Sequence, residues 1–101
     1  MSTTQLGKQE AKIRALVASL AKLGAMRPGT LTVQYRNPSQ RKTPFHQISY
    51  TRKGRGHSEY VRPENLPAVR REVAAYQTFR RVVEQIIDLS LKVSRLRHRR
   101  G

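Results

Sequence analysis

Cysteine and tryptophan are absent from this 101-residue chain, and acids are scarce, at six in all. Without cysteine there is no disulfide framework and no thiolate metal site. That fits a reducing compartment such as the cytoplasm. No run of about 18 apolar residues is present, so no membrane span is expected. The most apolar piece, Ala15 to Ala21, is short and flanked by Lys12 and Lys22, which is not the layout of a signal peptide.

The few acids also argue against catalysis. Glu10, Glu59, Glu64, Glu72, Glu84 and Asp88 are too dispersed for the carboxylate set of a nuclease or transposase. Glu84 and Asp88 lie one turn apart, where Arg81 and Lys92 are the ordinary helix-surface partners. His46, His57 and His98 share no metal-type spacing. The expectation is a protein that is not an enzyme and that has no metal and no cofactor.

What the chain does have is positive charge. Lys and Arg number 21, for a formal net charge of +15 and a pI near 11.6. Such a surface repels itself unless a polyanion neutralises it, and nucleic acid is the commonest one. Arginine, which dominates, matches phosphate and guanine edges with its planar fork. Between residues 27 and 62 lie Arg27, Arg36, Arg41, Lys42, Arg52, Lys53, Arg55 and Arg62 against the single acid Glu59. The segment after them mixes its cations with four acids, Glu64, Glu72, Glu84 and Asp88. The one-sided region is therefore the middle of the chain.

Ser2 to Leu23 predicts a first helix. Ser2 and Gln5 have capping-box spacing, Gly24 and Pro28 supply the stop, and Ile13, Leu16, Val17, Leu20 and Leu23 share a face. Thr30 to Tyr35 alternates as a half-buried strand, with Leu31, Val33 and Tyr35 inward. Arg36 to Pro44 is polar, holds two prolines and predicts a loop. Phe45 to Thr51 is a second strand, with His46, Ile48 and Tyr50 on one face and Phe45, Gln47 and Ser49 on the other. Arg52 to Gly56 is a cationic hairpin turn, and His57 to Arg62 a third strand.

Leu66 to His98 then carries apolar side chains at Val69, Val73, Tyr76, Phe79, Val83, Ile86 and Val93, with a second line at Val82, Leu89 and Leu96. That is the seam of a long helix, widened by Ile87 and Leu91, with Asn65 as its N-cap. At 1.5 Å per residue it is about 45–50 Å long, against a radius of gyration near ~13 Å for a folded chain of this size. A homodimer or a protein partner along this helix is one expectation.

The predicted fold is α+β: an N-terminal helix (1–24), a three-stranded antiparallel β-meander (29–62) and a long C-terminal helix (65–98), together one small basic domain. Leu31, Val33, Ile48 and Val61 are the expected sheet side of the core. Phe45 and Tyr60 fall on the open face.

From Met26 to about Leu96 the chain resembles a small bacterial family of unknown function that is often encoded beside transposases. The matching pieces are Arg27-Pro28-Gly29-Thr30-Leu31, the run from Thr43 to Tyr50, Tyr60-Val61, Tyr76, Phe79-Arg80 and Leu89-Ser90-Leu91. Members of that family tend to carry cysteines between the first two strands, where this chain has Asn37 to Lys42 and none. The resemblance implies the same element order and a mobile-element setting, with a recombinase as a possible partner. If the family holds a metal in that loop, this chain, lacking the cysteines, is not expected to. A meander with a helix also resembles, at the level of fold, the sheet modules with which integrases bind arm sites.

The leading expectation is a duplex-DNA-binding accessory. Gln34, Arg36, Gln47 and Ser49 are the candidate base readers. Arg41, Lys42, Arg52, Lys53 and Arg55 are placed to hold phosphates, with Arg27 and Arg62 at the edges. The alternatives are a structured-RNA-binding component of a ribonucleoprotein and a coiled-coil assembly protein.

Overall fold

The computed structural model describes residues 2–37, 39, 40 and 42–99, with the backbone alone for residues 2–4 and 42. The element order is α1 (Ser2–Leu20), β1 (Thr30–Asn37), β2 (Lys42–Arg52), β3 (Arg55–Val61), a short 3-10 turn (Pro63–Asn65) and α2 (Leu66–Arg97). This is the expected α+β order, with the three strands in one antiparallel sheet ordered β1-β2-β3. The chain forms two compact units, Met1–Gly24 with Thr78–Gly101, and Ala25–Gln77.

In the second unit the sheet is built by period-2 alternation. Leu31 stands opposite Ile48, and Ile48 opposite Glu59, while Val33, His46 and Val61 form the adjacent row. Ile48 is fully buried, and with Val61, Val69 and Val73 it forms the core, flanked by Leu31 and Leu66. The N-terminal part of α2 therefore covers the Ile48 face. Val33 lies on that face but is 49% exposed, so the expected core is shorter than the alternation suggests.

The strands run further than the composition predicts. Arg36, Asn37 and residues 42–44 belong to strands, so the predicted Arg36–Pro44 loop is shortened from both ends. Pro44 sits in β2 opposite Tyr35. A proline in a central strand is normally excluded. Here β3 pairs with β2 only from His46 onward, so β2 has one open side at Pro44. Thr43 just before it is left-handed, with φ 57. The β2–β3 turn has two residues, Lys53 (φ 54) and Gly54 (φ 77), between the paired Arg52 and Arg55. Two left-handed central residues match the right-handed twist of a hairpin.

The long helix begins differently from its predicted cap. Arg62 is extended (φ −65, ψ 142), as a residue before proline is pushed to be. Helical turns then start at Pro63. The Asn65 N–H donates to the Arg62 carbonyl (2.9 Å), and the Leu66 N–H to that of Pro63. Asn65 thus lies inside the first turn rather than capping it, and proline fills the position where a missing N–H costs nothing.

In the first unit α1 ends at Leu20, three residues before the predicted stop. Ala21, Lys22 and Leu23 each donate to the carbonyl three residues back, a tightened end to the helix. Arg97 is ion-paired with Glu10, and Gln9 and Val93 are buried. Ile87 and Leu91, expected to widen the seam, are exposed. The Ser2–Gln5 capping box rests on a side chain outside the described residues, as do Arg100 and Gly101 of the tail. Among the described residues no helix is long and apolar enough to cross a membrane.

Candidate nucleic-acid interface

The sheet face turned away from α2 is set by the same register. It carries Thr30, Thr32, Gln34 and Arg36 from β1, Phe45, Gln47, Ser49 and Thr51 from β2, and Gly56, Ser58 and Tyr60 from β3. No acid is among them. Thr30, Ser49 and Ser58 form one cross-strand row and Thr32, Gln47 and Tyr60 another, with Gln34 opposite Phe45.

The four candidate base readers, Gln34, Arg36, Gln47 and Ser49, all fall on this face. Gln34 donates from Nε2 to the Thr32 hydroxyl (3.4 Å). Ser49 and Ser58 share a hydrogen bond between their hydroxyls (3.1 Å). The Arg36 guanidinium lies 5.6 Å from the centre of the Phe45 ring, and that ring is 6.4 Å from Tyr60, tilted by 47°. Each strand thus contributes one flat group to a corner of the face. Phe45 and Tyr60 join the site as members that charge counting passes over. The signal that finds them is parity: if Ile48 and Val61 point inward, Phe45 and Tyr60 point outward.

Cations lie at both ends of the sheet. At one end Arg52, Lys53 and Arg55 are exposed around the β2–β3 turn, with the paired Arg52 and Arg55 on the Ile48 side of the register and Lys53 in the turn itself. At the other lie Arg36 and the exposed Arg62, which follows β3. Lys42 opposes Asn37 in the backbone, with its side chain outside the described residues, and Arg41 is likewise outside them.

Arg27 is placed elsewhere. Its guanidinium forms an ion pair with Glu59, whose carboxylate also accepts a 2.5 Å hydrogen bond from the Tyr50 hydroxyl. Tyr50 in turn stacks on His57, with centroids 5.0 Å apart and planes 20° apart, and Arg27 lies over the Tyr50 ring. This cluster takes up the meander's only acid on the α2 side of the sheet. The Arg27 backbone N–H donates to the Glu72 carbonyl of α2 (3.0 Å). Arg27 therefore anchors the start of β1 rather than standing ready for phosphate.

The hydrogen bond from Tyr50, then that from Arg27, hold the Glu59 carboxyl below its usual range. The same bond raises the Tyr50 hydroxyl, and Glu59 raises the Arg27 guanidinium. A carboxyl depressed by folding adds stability above its unfolded pKa and loses it as pH falls through the folded value. Thermal midpoints measured from pH 7 down to pH 3 should fall less steeply for Glu59→Gln than for the wild type. Parallel acid limbs would show that the cluster contributes nothing to stability.

Among the described residues no three His, Asp or Glu side chains gather where a metal could sit. Glu84 and Asp88 are exposed on α2. No family model, curated protein or solved structure matches this chain.

Proposed function

We propose that this chain is a non-catalytic nucleic-acid-binding protein that lays the open face of its meander into the major groove of duplex DNA. The observation that carries this reading is a sheet face without acids, lined by amide and hydroxyl side chains, on a sheet whose two ends carry exposed arginine and lysine. Three strands about 4.8 Å apart make a face about 10 Å across. The major groove is about 12 Å wide. Gln34 and Gln47 have the amide geometry that reads adenine edges, and Arg36 the fork that reads guanine. The turn cations Arg52, Lys53 and Arg55 suit the flanking phosphates, which position a protein without specifying sequence. The sequence resemblance adds a mobile-element setting, with the protein acting beside DNA in the cytoplasm.

The test is a titration of the purified protein with a duplex over a salt series. Contact with about six phosphates predicts a loss of roughly 10³-fold in affinity between 50 and 200 mM salt. Absence of binding at 50 mM salt would overturn the reading.

A further inference from the structure

The open face has two chemically different ends, and this difference narrows the ligand. Near the Lys53-Gly54 turn its side chains are small hydroxyls, with the bonded Ser49 and Ser58 as the central pair. At the other end stand the flat groups of Arg36, Phe45 and Tyr60. Phe45 and Ser49 are four residues apart on β2, about 14 Å at 3.4 Å per residue. The two ends are thus far enough apart to meet different parts of one ligand.

Paired bases show a groove only their edges, which amides and hydroxyls can read. Stacking on an aromatic ring uses a base's π-face, which neighbouring pairs cover inside a duplex and an unpaired base leaves open. Tyr60 is 55% exposed. Arg36, with its guanidinium 5.6 Å from the centre of the Phe45 ring, keeps N–H groups available for the guanine edge or the phosphate of a nucleotide beside Tyr60. With no acid on the face, the charge suits a polyanion along its whole length.

We infer that the preferred ligand is a DNA duplex running into unpaired nucleotides, with the duplex on the hydroxyl end and the first unpaired base stacked on Tyr60 beside Phe45. This inference rests on the reading of the open face as a DNA-binding surface. It goes beyond that reading by naming a junction as the substrate.

The experiment compares one blunt duplex with the same duplex carrying a three-nucleotide 3′ or 5′ overhang, at fixed salt. A 2-aminopurine at the first unpaired position serves as the probe, and the chain has no tryptophan to interfere. One stacked base predicts about tenfold tighter binding of an overhang duplex, within the range measured for base–aromatic stacking. Tyr60→Ala should weaken the overhang duplex about tenfold more than the blunt one, so that the preference disappears, and abolish quenching of the probe, whereas Tyr60→Phe should retain both the preference and the quenching. Because Tyr60 is exposed, its variants should keep the wild-type circular dichroism and thermal midpoint. Equal affinity for blunt and overhang duplexes would overturn the inference while leaving duplex binding intact. So would an equal loss for both in Tyr60→Ala. Binding to none of the duplexes would overturn the underlying reading as well.

Discussion

Replacing Arg52, Lys53 and Arg55 together with glutamine should weaken duplex binding, if the proposed reading holds, by about 3 × 10³-fold at 50 mM salt and about 80-fold at 200 mM salt. The figures follow from counterion release. Each phosphate contact contributes about 0.9 to the slope of log affinity against log salt, so three lost contacts flatten that slope by about 2.7. Extrapolated to 1 M salt, where this term vanishes, wild type and variant should converge. The three cations surround a turn whose geometry is set by Lys53 and Gly54 in left-handed conformations, and their side chains are exposed. Their removal should therefore leave the thermal midpoint nearly unchanged, since exposed side-chain changes shift stability by about 0.5 kcal/mol or less and Lys53→Gln leaves a non-glycine residue at the left-handed position. The converse control is Arg27→Gln. Arg27 is committed to Glu59, so its loss should affect stability more than the salt slope. A triple variant with an unchanged slope would place the phosphate contacts on another surface.

The division of the meander into two faces was legible in the sequence because strand periodicity is a local property. Ile48 inward fixes Gln47 and Ser49 outward without knowledge of any partner strand. The hairpin at Lys53-Gly54 was legible for a similar reason: glycine between two alternating runs marks a turn. The strand ends were not legible, since residues 36–44 hold two prolines and polar side chains. Pro44 is tolerated only because β3 stops short of it, which is a fact of pairing. The cap of α2 was misread at Asn65 because Pro63 had already started the helical turns. Arg27 shows the limit of counting charges. Its sequence context matches that of its cationic neighbours, but its partner Glu59 lies 32 residues away. The aromatic corner is intermediate. Parity puts Phe45 and Tyr60 on the open face, but only the register of three strands brings them beside each other and beside Arg36.

Gly29→Ala should cost about 1–3 kcal/mol in overpacking alone, from a residue that touches no ligand in this reading. A Cβ there would lie 2.6 Å from Cγ1 of Ile48, 2.9 Å from its Cδ1 and 3.1 Å from the Ser49 carbonyl oxygen. The backbone at Gly29 has φ 142, a region that side chains oppose, so strain adds to the clash. Ile48 is the one fully buried large side chain among the described residues, and it has no room to yield without opening the core. Truncating it as Ile48→Ala should itself cost about 2–5 kcal/mol. With net stabilities of about 5–15 kcal/mol typical of folded domains, and a core of only a few residues, either change takes a large share. The double variant separates the causes. Ile48→Ala removes both carbons that a new Cβ would meet, so Gly29→Ala on that background should cost less by about 0.5–3 kcal/mol. The φ strain and the approach to Ser49 would remain. Urea denaturation followed by circular dichroism measures all four corners of the cycle. Strict additivity would mean that Gly29 is required for its backbone conformation and not for close packing on Ile48. The link to function is register. Gly29 leads into Thr30, which pairs with Ser49, and that pairing sets which residues of β1 join the open face. Duplex affinity per folded molecule should therefore survive Ile48→Ala in stabilising buffer and fall in Gly29→Ala if β1 shifts.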